Sequence, residues 1–179
     1  MCGPDLGRVP GVTSAELLAD AFDRIKGVVG RALDGLTDEQ LTEQVGPVAN
    51  PISWLVWHLT RIQDDHICDV AGIEQAWTAQ GWYERFGLPF PVTDHGYGHT
   101  EHQVEQVRVP AELLRAYHDA VNARTVEYVT AIKDADLDRV VDTNWDPPVT
   151  LGVRLVSVVS DNLQHAGQAA YVRGVLLSR

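Results

Sequence analysis

Four long segments of the chain repeat their apolar residues at the period of an α-helix, and this period limits the fold more than any other feature. The first segment opens at Thr13 and Glu16, a capping-box pair, and is expected to stop near Gly35. Thr37 and Gln40 form a second capping-box pair, which predicts a short helix before the Gly46-Pro47 break. The second begins at Asn50, a favourable N-cap followed by proline, and runs to about Gly72. Both segments are therefore predicted as helices with one apolar stripe.

The second half of the chain follows the same pattern. A third long helix is expected after Pro110, and a fourth is expected to start at Thr150, after the Asp146-Pro-Pro turn. The Gly- and Pro-rich stretch between about 72 and 110 is long enough to cross a bundle, so the second and third long helices need not be antiparallel neighbours. The prediction is an all-α four-helix bundle with a long crossover between helices two and three. We expect a single domain over residues 1–179, with its core at about 14–177.

Composition excludes several classes of protein. A formal net charge of −11 disfavours nucleic-acid binding, which needs clustered Lys and Arg. The N-terminus lacks a secretory signal, and no apolar run approaches the ~20 residues that cross a bilayer. Two cysteines, Cys2 and Cys68, have no metal-binding spacing and fit a reducing compartment. We therefore expect a cytoplasmic protein that contacts neither nucleic acid nor membrane.

Three residues with metal-binding side chains stand inside the apolar helical segments. His58 lies in the middle of the second long helix, and Asp161 and His165 lie in the fourth. Residues four apart share one helix face, so Asp161 and His165 point the same way. Two imidazoles and a carboxylate suit a divalent cation such as zinc, and three protein ligands leave a position open for chemistry. The pattern predicts a catalytic metal site between the two helices.

Other interpretations of these residues are simpler. His58 alone is typical of a hydrogen-bonded core histidine, and Asp161 with His165 could form a solvated polar face. The fourth helix disfavours the second interpretation, because it is apolar nearly all round and is expected to be buried, which makes an unpaired carboxylate costly. His95, His99 and His102 are further metal-binding candidates, but their Gly-containing segment is typical of a loop at a pocket rim.

The motifs resemble the DinB/YfiT-like metalloenzyme superfamily, and within it the single-domain mycothiol-dependent transferases. The stretches that carry the resemblance are 54–66, 81–89, 94–100 and 164–174. Members of the superfamily bind a divalent ion through a histidine on the second helix and a pair spaced by four on the last. The resemblance therefore implies a metal site of His58, Asp161 and His165. Mycothiol is the implied co-substrate.

Two departures from the superfamily pattern affect the expected activity. Asp161 stands where many members carry a third histidine, although the related mycothiol-dependent maleylpyruvate isomerases also use a carboxylate there. Those isomerases carry an additional C-terminal domain, whereas this sequence stops with its fourth helix. We therefore expect thiol transfer to a small electrophile rather than isomerisation, with the metal as the only catalytic group.

Residues around the metal site have expected supporting roles. Asp65 and Gln168 are predicted to hydrogen-bond the metal-binding histidines, because such ligands usually donate their other N–H. The remaining candidates are residues that could bind substrate, namely Arg61, Trp82, Phe86, Tyr97 and Arg154. The arginines would bind an anionic group and the aromatic residues would wall the pocket. Ordinary loop packing explains the aromatic residues equally well, and an arginine in such a position is more often a surface residue.

Several functional alternatives stay open. The metal is expected to be zinc, with nickel, iron or manganese as alternatives. A metal-bound water in place of the thiol would give a hydrolase or lyase. A third alternative is a non-catalytic ligand-binding protein. The expected partners are a small-molecule thiol, an electrophilic substrate and a second copy of the chain in a homodimer.

Overall fold

A computed structural model of the protein describes residues 11–179, and helices form most of that range. In chain order the elements are α1 (Ser14–Leu33), α2 (Asp38–Thr42), α3 (Ile52–Ala71), α4 (Ala76–Ala79), α5 (Trp82–Phe86), α6 (Glu101–Glu105), α7 (Ala111–Ala131), a 3-10 turn (Asp134–Asp138), β1 (Val140–Asp142), β2 (Val149–Thr150) and α8 (Leu151–Leu177). The two strands pair antiparallel in a small ribbon. The predicted all-α fold is confirmed.

The sequence predicted most helix starts. Thr13 and Thr37 both form reciprocal capping boxes, and the Thr150 side chain caps α8. At α3 the predicted start is wrong by one residue. Pro51 is extended, with φ −69° and ψ 158°, so it is the N-cap, and no side chain within residues 11–179 caps the helix. The predicted lack of a secretory signal, and Cys2, fall on residues 1–10, which lie outside the described residues.

The four long helices pack as two antiparallel pairs. Asn122 on α7 contacts Asp23 on α1, and Arg115 contacts Gly30, so these two helices run in opposite directions. Between α3 and α7, Thr60 contacts His118 and Val70 contacts Tyr128, so these two helices run in parallel. The long crossover permits this parallel arrangement, as predicted.

The crossover also determines which helix is central. Residues 72–110 contain α4, α5 and α6, and the aromatic residues Trp77, Trp82 and Phe86 pack against Tyr117 of α7. This cover leaves α3 buried almost continuously from Ile52 to Gln63. The prediction that the last helix is buried all round is wrong, because α8 packs only one face against α3 and α1.

Apolar residues therefore remain on the outer face of α8. Val153, Val156, Leu163 and Tyr171 are all more than half exposed. Among residues 11–179, no helix combines the length and apolar character that crossing a bilayer requires.

A series of hydrogen bonds between buried polar side chains fixes α8 against α3. Asn162 donates to the Gln63 side-chain oxygen at 2.6 Å, and Gln63 donates to the Thr125 hydroxyl at 2.8 Å. All three residues are fully or almost fully buried. Buried polar groups lose several hydrogen bonds to water and need partners of good geometry. These hydrogen bonds therefore set the register of α8 beside α3, at the level of Asp161.

His118 is a buried histidine held in its neutral form. Its Nδ1 lies 3.1 Å from the Thr60 hydroxyl oxygen, and that hydroxyl donates its own proton to the Val56 carbonyl. Nδ1 is therefore the donor in the contact with Thr60. Burial lowers the pKa of His118 to about 4.

This lowered pKa predicts a pH dependence of stability. The unfolded chain binds a proton at His118 near pH 6.5, so the free energy of unfolding falls as the pH drops from about 6.5 towards 4. We expect His118→Asn to reduce that slope, by up to about 1.4 kcal/mol per pH unit. Urea unfolding across this pH range measures it, with His102→Asn, on exposed α6, as the control. A His118→Asn slope equal to that of the wild type would contradict the assignment.

Candidate metal centre

The three predicted metal ligands meet at the interface of α3 and α8. His58, Asp161 and His165 each offer a ligand atom, and these atoms all lie within 4.8 Å of one another. The rings of His58 and His165 have centroids 4.8 Å apart and planes at 82°. Ligand bonds to zinc measure about 2.0–2.2 Å, so one cation can bridge the three side chains after small rotations.

The orientation of His58 is set by a loop of the crossover. Its Nδ1 lies 2.5 Å from the carbonyl oxygen of His95. A carbonyl oxygen only accepts, so Nδ1 carries the proton and Nε2 keeps its lone pair. The ring also stacks on Trp54, with centroids 4.6 Å apart and planes at 11°. His58 is therefore held in the tautomer that a metal ligand needs.

Two side chains hold this loop in place. The Asp94 carboxylate accepts from the Gly96 N–H at 2.7 Å and from His99 Nε2 at 3.0 Å. The other ring nitrogen of His99 accepts from the Trp54 indole at 3.1 Å. The loop is thus tied to the same tryptophan on which His58 stacks.

Gly96 allows the loop to approach α3 closely. Its φ of 90° is favourable only for glycine. A Cβ at this position would lie 2.9 Å from the Trp57 ring and 3.0 Å from His58 Nδ1. A larger residue at this position requires the loop or the rings of α3 to move apart, and we expect this movement to weaken the contact between the His95 carbonyl and His58.

The two candidate ligands on α8, Asp161 and His165, differ in the hydrogen bonds that they make. His165 Nδ1 lies 2.9 Å from the Gln168 side-chain oxygen, and its Nε2 lies 3.6 Å from Asp161 Oδ1. Asp161 Oδ2 is buried and has no hydrogen-bond partner within residues 11–179. An unpaired buried carboxylate oxygen is costly unless a cation compensates it. The donor set and this oxygen therefore fit a divalent metal.

The two histidines differ in basicity. Burial lowers the pKa of His58 to about 4, against the opposing effect of its bond to the His95 carbonyl. At His165, burial acts in the same direction, but hydrogen bonds to Asp161 and Gln168 and the charge of Asp161 outweigh it and raise the pKa. His58 is thus neutral near pH 7, and a metal would compete with a proton mainly at His165.

The residues predicted to support the metal ligands fall into two groups. Gln168 contacts His165, as expected. Asp65 instead accepts a hydrogen bond from the Gln75 amide at 2.7 Å. The His95 carbonyl, and not Asp65, is the hydrogen-bond partner of His58. Asp65 lies two turns along α3 from His58, where its side chain reaches the start of α4 more easily.

Arg61 does not have the role expected from the sequence. It is fully buried, and its guanidinium donates to the Asp94 carbonyl at 3.1 Å and to Gln75 at 2.8 Å. Arg61 lies 3.8 Å from Asp64, which accepts from two backbone N–H groups at the start of α4. Arg61 therefore attaches the crossover to α3. Its guanidinium is not exposed, so a substrate anion cannot contact it.

The aromatic residues of the crossover that were predicted to bind substrate do not lie together on one surface. Trp82 and Phe86 are buried, and each ring centroid lies 5.5 Å from that of Tyr117. Tyr97, by contrast, is 86% exposed. These positions match the alternative of ordinary loop packing better than that of a pocket wall.

Arg154 and Cys68 make their contacts with residues other than the three candidate ligands. Arg154 donates to Asp142 at 2.9 Å and lies 3.3 Å from His66 Nδ1. Cys68 is buried beside Asp64, and burial raises the pKa of its thiol to about 12. A thiol with that pKa is not a nucleophile at neutral pH.

Sequence reasoning missed the residues that orient His58. The His95 carbonyl, Gly96 and His99 act through the backbone or through one another, so no side-chain spacing marks them as a group. The one available signal was the pair of glycines in Asp94-His-Gly-Tyr-Gly-His99, since both adopt positive φ. Such glycines indicate a tight turn or a close backbone approach.

Gly96→Ala is expected to weaken metal binding by about 10–100-fold, the usual effect of losing a hydrogen-bond partner of a ligand. The added Cβ would push the His95 carbonyl away from His58. Gly98→Ala is the matched control, because Gly98 also has positive φ but its Cβ would meet nothing within 4 Å. Competition titration with a chromogenic chelator measures both affinities. Equal losses in the two variants would show that backbone strain, and not the approach to His58, is responsible.

Comparisons with known proteins identify the family and the fold. The sequence model of the family described as mycothiol-S-transferase matches residues 17–177. A solved structure of a conserved protein from Enterococcus faecalis is similar, with 32% identity and a TM-score of 0.88, over 94% of this chain and 100% of that one. No curated protein matches the chain. The predicted resemblance is confirmed over most of the sequence, and the protein belongs to the mycothiol S-transferase family of DinB/YfiT-like proteins.

Proposed function

We propose that the protein is a metal-dependent thiol S-transferase that joins mycothiol to a small electrophile. The observation that carries this proposal is the convergence of His58, Asp161 and His165, where one buried carboxylate oxygen has no partner among the described residues. Three protein ligands are typical of catalytic rather than structural zinc sites. The family match supports mycothiol as the thiol.

A divalent cation at this centre would stabilise the thiolate form of a coordinated thiol near neutral pH. The chain contributes the geometry of that site. The His95 carbonyl keeps Nε2 of His58 unprotonated, and Gln168 holds the ring of His165. Asp161 adds one negative charge, so the ligand set offsets half the charge of the cation. Cys68, with its raised pKa, does not compete as a nucleophile.

The thiol is proposed to approach from the charged end of the site. Arg154, His66 and Asp65 lie on the side of the metal centre towards the C-terminal end of α3. Arg154 is already paired with Asp142, so it would contribute hydrogen bonds more than net charge. Its buried Nε has no partner within the described residues.

Other properties of the protein are proposed from the sequence. Zinc is the first choice of metal because the donor set has two imidazoles, with nickel, iron and manganese as alternatives. The exposed apolar face of α8 would support a homodimer. A cytoplasmic location fits a mycothiol-dependent reaction.

The test measures metal content and thiol dependence together. The wild type, loaded with zinc, is assayed with monochlorobimane in the presence of mycothiol, of cysteine, or of no thiol. His58→Ala and His165→Ala are expected to lose stoichiometric zinc and at least about 100-fold of the mycothiol-dependent rate, because each removes a ligand.

His102→Ala, an exposed histidine outside the site, is the control and should retain both properties. Product formed without thiol would favour the hydrolase or lyase alternative. Zinc retained in both ligand variants would contradict the proposal. Zinc binding without turnover of any electrophile would favour the non-catalytic alternative.

A further inference from the structure

A cavity of about 420 Å³ adjoins the metal centre on the side opposite the charged residues. It lies between the segment 45–50 and α8, and α3 forms its floor at Leu55. A volume in this range suits a small organic ligand. We propose that this cavity binds the electrophilic substrate, and that it selects uncharged electrophiles. The inference rests on the proposed thiol transfer.

Two residues connect the cavity to the metal ligands. Gln168 lines the cavity, and its side-chain oxygen lies 2.9 Å from His165 Nδ1. Leu55 lies three residues before His58 on α3, so it stands about one turn from that ligand. Because α3 and α8 are antiparallel, both helices place the cavity on the same side of the metal centre.

The distance suits nucleophilic attack. A zinc–sulfur bond measures about 2.3 Å, and reacting atoms approach to about 3–3.5 Å. The electrophilic atom would therefore lie about 5–6 Å from the metal. Leu55 and Gln168, the lining residues nearest the candidate ligands, each lie three residues from one of them, an offset of about 4.5 Å along the helix axis.

The lining determines which electrophile can enter. Aliphatic side chains and Tyr171 form most of the wall, and no charged side chain among residues 11–179 lines it. The polar side chains besides the tyrosine hydroxyl are the amides of Asn50 and Gln168. Asn50 is half-buried beside the cavity, and its side-chain amide is among the lining groups. It can donate to one acceptor oxygen of a bound molecule.

Charge excludes the alternative of an anionic substrate. A carboxylate in this cavity would lose water without gaining a cationic partner, which is unfavourable. The net charge of −11 adds a repulsive field at longer range. The substrate class is thus an uncharged molecule with an apolar body, one acceptor oxygen and one electrophilic carbon.

A chloronitroarene illustrates the reaction. The thiolate sulfur forms a bond to the ring carbon, the carbon–chlorine bond breaks, and chloride leaves with the electron pair. The proton of the thiol is released to solvent when the thiolate forms. No oxidant or reductant is required.

The first experiment compares 4-chloro-3-nitrobenzoate with its methyl ester, which differ in charge at one remote group. Each enzymatic rate with mycothiol is divided by the uncatalysed rate to remove differences in reactivity. We expect the acceleration to be at least tenfold larger for the ester. Equal accelerations, or a larger one for the acid, would overturn the inference.

The second experiment fills the cavity. Gly167 lines it and lies on exposed α8, where a Cβ would meet nothing within 4 Å, so Gly167→Phe can occupy the space without disturbing the core. Gly174→Phe is the matched control, two turns along the same helix, equally open but outside the cavity. We expect Gly167→Phe to lose at least tenfold of the ester activity while retaining zinc, and Gly174→Phe to keep both.

A binding measurement separates this inference from the proposed function. Methyl 4-methyl-3-nitrobenzoate, which has no leaving group, is tested by saturation-transfer NMR with zinc-free protein. Binding to the wild type and Gly174→Phe, but not to Gly167→Phe, supports the cavity even if thiol transfer fails. Unchanged binding to Gly167→Phe overturns the inference even if thiol transfer is confirmed.

Discussion

The hydrogen bond between Asn162 and Gln63 is the interaction on which the metal centre depends most. It fixes α8 against α3 at the residue next to Asp161, inside a core that excludes water. Removing one partner would leave a buried amide group unsatisfied, at a cost of about 1–3 kcal/mol. A slip of α8 by one turn would also separate Asp161 and His165 from His58. The register that stabilises the bundle is therefore the register that assembles the site.

The crossover has a second and less direct role. Its aromatic residues Trp77 and Phe90 contact Arg61 and Trp57 of α3, and its loop at residues 94–99 approaches His58 closely through Gly96. Arg61 of α3 attaches the same loop by donating a hydrogen bond to the Asp94 carbonyl. A segment that the sequence suggested as a pocket wall thus acts mainly as a support for one metal ligand.

Much of the fold could be predicted because its signals are local. The capping boxes at Thr13 and Thr37 and the turn before Thr150 depend on neighbouring residues, and the structure contains each of them. The convergence of the three candidate ligands could be predicted because their side-chain types and spacing are informative by themselves. Arg61 and Asp65 could not be placed, because their partners lie on α4 and on the crossover. The burial of α8 was misjudged because hydrophobic period alone does not say which helix the crossover covers.

The central claim is that one cation is held by His58, Asp161 and His165 and takes a thiol sulfur at its open position. X-ray absorption at the zinc edge tests this most directly, with spectra recorded before and after addition of mycothiol. The account predicts nitrogen and oxygen ligands at about 2.0–2.1 Å in the first spectrum, and one added sulfur at about 2.3 Å in the second. A spectrum that gains no sulfur, or one in which zinc is bound only by oxygen ligands, would contradict the account.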